Sequence, residues 1–95
     1  MDANERLQEL MQLPFSKIKD LPESSSESFV DENGKKCQLT IWREQIGADS
    51  CRVLVSLHRK HFLGGSSLRS ARGFSMSSNG AIEMIDPAEV ERLFS

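Results

Sequence analysis

The alternation of apolar and polar positions is clearest from Cys51 to His58, where Cys51, Val53, Val55 and Leu57 alternate with Arg52, Leu54, Ser56 and His58. A period of two is the pattern of a half-buried strand, and valines, stiff at the first side-chain torsion, favour strand over helix. The run 51–63 is the longest apolar-rich stretch and sits mid-chain, so the other elements are read as pairing with it or packing on it.

Lys35 to Arg43 alternates in the same way, with Cys37, Leu39 and Ile41 on one face and Gln38, Thr40 and Trp42 on the other. The turn signal before it, Asp31-Glu-Asn-Gly34, predicts a three-residue hairpin loop closed by a glycine in the left-handed region. That loop pairs Asp31 with Lys35 and Phe29 with Cys37. Residues 44–50 are read as the loop into the central strand, with Arg43 opposite Cys51. Ile41 then meets Val53, Leu39 meets Val55 and Cys37 meets Leu57. On the other face the same register sets Trp42 opposite Arg52, a cross-strand cation–π pair. Cys37 and Cys51 share a face in this arrangement but stand about 20 Å apart at 3.3 Å per residue. No disulfide spans that distance.

Gly64-Gly-Ser-Ser67 breaks the pattern, and Leu68 to Ser77 reads as a weaker strand with Phe74 and Met76 in phase. Ser77-Ser-Asn-Gly80 repeats the hairpin logic and pairs Met76 with Ile82 and Phe74 with Met84.

Helical spacing appears at both ends. Leu7, Leu10 and Met11 share one face of a helix over 2–13, with Asp2 as its cap and Pro14 as its stop. Asp86-Pro87-Ala88-Glu89 supplies an N-cap, a proline at the first helical position and an acid at the third, and so starts a helix over 87–94. Val90, Leu93 and Phe94 form its apolar face. Residues 14–28 are a loop or connector: Phe15, Ile18 and Leu21 continue a rough helical spacing, as a second short turn or as a loop tucked onto the core, and the Ser-rich 23–28 is flexible.

These elements add up to one α+β domain over 1–95. A five-stranded antiparallel meander over 29–85 carries the N-terminal and C-terminal helices on its aliphatic face. The alternative is a small β-barrel with flanking helices.

Composition narrows the function classes. With 38% hydrophobic and 27% charged residues, the 95-residue chain has enough apolar side chains for one modest core and does not read as disordered. No apolar run approaches the roughly 20 residues of a membrane span. The opening Met-Asp-Ala-Asn-Glu-Arg carries acids and no apolar h-region follows, so no secretory signal is expected. Two cysteines without a signal point to reduced thiols in the cytoplasm.

The net charge of −2 is unevenly spread. Residues 51–82 hold Arg52, Arg59, Lys60, Arg69, Arg72 and both histidines, with no acid among them. Arg59, Lys60, Arg69 and Arg72 flank the Gly-Ser loop, which makes the 59–72 hairpin a candidate site for an anion or an acidic partner.

Candidate chemistry is sparse. His58 and His61 point to opposite faces of a strand, and no Cys/His cluster has ligand spacing, so no metal site is expected. No base is in phase with either cysteine, Gly-x-Ser-x-Gly is absent, and the acids cluster at termini and turns. The expectation is a protein that is not an enzyme and carries no cofactor. Val30, Trp42, Leu54 and Phe62 point to the sheet face left free by the helices and, unless residues 13–23 fold across it and bury Phe15, Ile18 and Leu21 there, form an apolar patch rimmed by Arg52, His58 and Lys60 and suited to association. The chain is therefore expected to be a small accessory domain that binds a protein partner or a second copy of itself through this face. The alternative is nucleic-acid or polyanion binding through the 59–72 hairpin.

Overall fold

Two turns of the same build fix the strand register at opposite ends of the sheet. In the computed structural model, which describes residues 3–61 and 64–94, Asp31 Oδ1 accepts the amide protons of Asn33 and Lys35, each at 2.9 Å. Gly34 closes that loop at φ +76°. At the other end Asn79 Oδ1 accepts from the Ala81 amide at 3.0 Å, and Gly80 sits at φ +88°. Each loop needs its glycine because side-chain-bearing residues avoid this region.

Between them run β1 (Ser24–Val30), β2 (Lys36–Gly47), β3 (Ser50–Lys60), β4 (Ser66–Ser77) and β5 (Ile82–Met84). All neighbours are antiparallel and the order is β1-β2-β3-β4-β5. The sheet is open, with β1 and β5 as its edges, so the barrel alternative does not apply. Helices α1 (Ala3–Met11) and α2 (Phe15–Ile18) precede it, and α3 (Pro87–Phe94) follows. The α+β class and the five-stranded meander are as the pattern predicts.

The two Asn-Gly loops deliver the expected pairs: Phe29 with Cys37, Phe74 with Met84, and Met76 with Ile82. The β2–β3 register differs from expectation by two residues. Leu39 pairs with Leu57, Ile41 with Val55 and Arg43 with Val53, because both strands run on to a tight turn at Ala48-Asp49 with an irregularity between Gln45 and Gly47. An even slip keeps each side chain on its face, so the core survives it. Residues 24–28 are also not a connector. They form the first five residues of β1, held by pairing with Trp42 through Gln38 rather than by burial.

The aliphatic face is covered by α1 and α2. Ala3, Leu7, Leu10 and Ile18 pack with Leu39, Val53, Val55 and Phe74 in one buried cluster, with Phe15, Leu21 and Phe29 at its margin. The 14–21 segment is anchored there by Arg43, whose Nε donates to the Leu21 carbonyl at 2.7 Å. Asp2, the expected cap of α1, lies outside the described residues.

The C-terminal helix takes the opposite face. Asp86 Oδ1 caps it by accepting from the Ala88 amide at 3.0 Å, and Val90 is fully buried in a second cluster with Leu54 and Ala71. Leu68, Ile85 and Phe94 complete that cluster. Placing both helices on one face is thus corrected. The small residues Ala71 and Gly73 on β4 allow the close approach, since a Cβ on Gly73 would stand 2.6 Å from Leu54 Cδ2 and 3.3 Å from Ile85 Cδ1.

Candidate functional site

The expected association face is largely occupied. Leu54 is only 8% exposed beneath Val90 and Phe94, so it is a core residue of the α3 cluster. Trp42 stands opposite Leu54 rather than Arg52. Its ring neighbour is Phe94, with centroids 6.2 Å apart and planes tilted by 40°. Arg52 instead pairs with Glu44 across the strands, donating from Nε to Oε2 at 3.0 Å. The expected cation–π pair is replaced by an ion pair because of the two-residue slip. His58 is half-buried between Gln38 and Leu68 in the ladder, and Phe62, the fourth apolar residue expected near this face, lies outside the described residues. What remains open is a shallow groove where Trp42, 41% exposed, meets Leu93 and Phe94.

The basic hairpin is also divided by the fold. A register shift between Leu57 and His58 leaves Arg69 outside the ladder, and its side chain is exposed. Arg72 lies opposite Val55 on the α1 face. Its guanidinium donates to the Ala71 carbonyl at 2.7 Å and lies 3.4 Å from Glu91 on α3. It reaches round the outer edge of β4, which β5 pairs only from Phe74 to Met76. Neither residue joins Arg59 and Lys60.

A different set does. At the end of the sheet where β2 starts and β3 stops, Lys35, Lys36, Arg59, Lys60 and His61 line one open cleft of about 610 Å³, with Gly34 at its rim. Cys37 and Arg59 form the last pair of the β2–β3 ladder at this end, and Lys36 and Lys60 are the next residues of the two strands. Like charges gathered in one cleft repel each other unless a counter-charge is present. Lys35, Lys36 and Lys60 are exposed and have no ion-pair partner among the described residues.

Arg59 is the member of the set with an acidic partner. Its Nη2 lies 3.6 Å from Asp31 Oδ2, while its Nε is buried without a hydrogen-bond partner. The amide of Lys35 holds the Asp31 carboxyl below its ordinary value, helped by the amide of Asn33, the Arg59 charge and the Cys37 thiol, with desolvation opposing. Asp31 thus stays ionised and fixes one cation at the cleft wall, and the lysines around it remain uncompensated. Sequence order hides Lys35 and Lys36 from this set. Their nearness to Arg59 follows only from the strand pairing.

Cys37 and Cys51 are free thiols buried in the α1 cluster. Among the described residues no three His, Cys, Asp or Glu side chains come together to hold a metal ion, and no helix is long and apolar enough to cross a membrane. Compared with protein-family models, curated proteins and solved structures, the chain matches none.

Proposed function

We propose that this chain is a non-catalytic binding module that takes a polyanion in the cleft of Lys35, Lys36, Arg59, Lys60 and His61. One observation carries the reading: three lysines without acidic partners among the described residues line one concave surface together with Arg59 and His61. An anion supplies the counter-charge that the protein withholds. Backbone geometry assists, because Gly34 at φ +76° leaves open space at the rim, with nothing within 4 Å of a built Cβ. The buried, free Cys37 and Cys51 agree with a cytoplasmic setting, where such ligands are plentiful and thiols stay reduced.

Calorimetric titration with inorganic tripolyphosphate at two salt concentrations tests this reading. Affinity is expected to fall as salt rises, since binding releases and competes with counterions. It is also expected to fall in a folded Lys36→Ala/Lys60→Ala variant. A flat salt response, or a variant that binds as wild type does, contradicts the reading.

A second reading, association with a protein or with a second copy, is favoured by the groove beside Trp42, where Leu93 is 57% exposed. If the chain pairs with itself there, its sedimentation coefficient rises with concentration and Trp42→Ala abolishes the rise. A monomer at every concentration removes the dimer.

A further inference from the structure

The cleft does not end at the lysines. On the face that carries α3, the ladder sets Lys36, Gln38, Thr40 and Trp42 in a row along β2, with Ser28, Ser26 and Ser24 beside them on β1. On the other flank β3 contributes His58 and Lys60. No acidic residue stands on this face of β1, β2 or β3 between the lysine end and Trp42. Helix α3 covers the neighbouring Leu54 and Ala71 and so bounds the strip on one side. The open edge of β1 bounds it on the other.

The geometry points to a single-stranded nucleic acid lying along this strip, with a phosphate in the lysine cleft and a base stacked on Trp42. The proposal rests on the anion reading of the cleft and extends it to a ligand class. Three features favour that class. The strip is two to three strands wide, about 10 Å at a strand spacing of about 4.8 Å, which suits one extended chain. From Lys36 to Trp42 is about 20 Å, within the span of short single-stranded sites of about 4–16 nucleotides. Between the two ends stand Gln38, Ser26 and His58, donors and acceptors able to read a base edge or sugar, while Thr40 is buried with its hydroxyl 3.2 Å from Ser26 Oγ.

Trp42 is the aromatic platform such surfaces use, because every base offers a π-face. It is 41% exposed, with Phe94 tilted against it. Glu44, the nearest acid along β2, is tied to Arg52, and Glu23, just before β1, is the other acid lining the groove beside Trp42.

Trp42 is the single tryptophan of the chain, and its fluorescence reports directly on stacking. Wild-type protein is titrated with a twelve-residue oligothymidylate and, separately, with tripolyphosphate and with poly-glutamate. The oligonucleotide is expected to quench Trp42, and tripolyphosphate to bind without quenching. Trp42→Ala, shown to be folded by circular dichroism, is expected to lose about tenfold in affinity for a fluorescently labelled oligonucleotide, while its affinity for tripolyphosphate is unchanged. If tripolyphosphate binds but the oligonucleotide neither quenches nor binds more tightly, the strip is not a nucleic-acid track and the cleft reading stands alone. Poly-glutamate binding as tightly as the oligonucleotide, with Trp42→Ala neutral, overturns the proposal in favour of an acidic protein. Failure of every anion to bind overturns the cleft reading and the proposal together.

Discussion

Arg59 reaches across the end of the sheet to Asp31, its Nη2 3.6 Å from Oδ2. The same carboxylate accepts the Lys35 and Asn33 amides through Oδ1. One side chain therefore shapes the β1–β2 turn that presents Lys35 and also orients an arginine of the cleft.

The pH dependence follows from the sign of the Asp31 shift. Its carboxyl is held below the ordinary value of 3.8, first by the Lys35 amide and then by Asn33 and Arg59. A group depressed in the folded state adds stability that is present above its unfolded value and is lost as pH falls through the folded value. Asp31→Asn keeps an acceptor for both amides and removes the charge. Urea melts should show wild type more stable than the variant at pH 6, with the gap closing as pH falls below 3.8. The variant should also bind tripolyphosphate about two- to fourfold more tightly, because one nearby negative charge is gone.

Gly73 is required for its lack of a side chain. A Cβ there would stand 2.6 Å from Leu54 Cδ2 and 3.1 Å from the Val53 carbonyl oxygen. Leu54 has little room to yield beneath α3, and the backbone oxygen has less. Gly73→Ala should cost about 1–3 kcal/mol in denaturant unfolding, the usual range for overpacking. Gly47 differs, since its nearest neighbour would be Ser50 Oγ at 3.7 Å. Gly47→Ala should change stability by less than about 0.5 kcal/mol.

Leu54 also decides what a mutation on this face reports. Because it lies 8% exposed in the α3 cluster, Leu54→Asp introduces an unpaired charge into that cluster. A loss of at least about 3 kcal/mol is expected, with a shift in Trp42 emission as Phe94 moves away. Arg52→Ala should cost no more than about 1 kcal/mol, because the Arg52–Glu44 pair is exposed.

The thiols give a compact test of the core. Cys37 pairs with Arg59 and Cys51 with Gln45, at opposite ends of the β2–β3 ladder. Both are buried, so reaction with an aromatic disulfide reagent should be at least about tenfold slower in native protein than in urea. Both thiols should then titrate in the unfolded chain, with no intramolecular disulfide formed on native oxidation.

Local chemistry carried the parts of the fold that the sequence announces. The Asp31–Gly34 and Ser77–Gly80 turns set two registers, and the Asp86-Pro87 cap started α3, because each depends on residues within four positions of one another. The β2–β3 register depended instead on how far both strands run before turning, and Ala48-Asp49 carries none of the glycine or asparagine marks of a tight turn. Ser24 to Ser28 lack strand propensity and are exposed, so only their hydrogen bonds to β2 make them a strand.

The site was legible in fragments. Arg59 and Lys60 stand out as basic residues beside a loop, and sequence proximity alone groups Arg69 and Arg72 with them. The irregularity at Leu57/His58 and the reach of Arg72 to Glu91 separate the four. Lys35 and Lys36 come from another hairpin and meet Arg59 only through the ladder. The placement of α3 had one mark in the sequence, the small pair Ala71 and Gly73 at alternate positions, which opens one face of β4 to a helix.

The central claim is that the lysine cleft is built for an anion. The most direct test is a proton–nitrogen correlation spectrum of the labelled protein, recorded during titration with inorganic tripolyphosphate. The account predicts saturable shifts at the amides of residues 34–36 and 59–61, weakened by added salt and lost in Lys36→Ala/Lys60→Ala. An unchanged spectrum, or shifts centred on Arg69 and Arg72 instead, would contradict it.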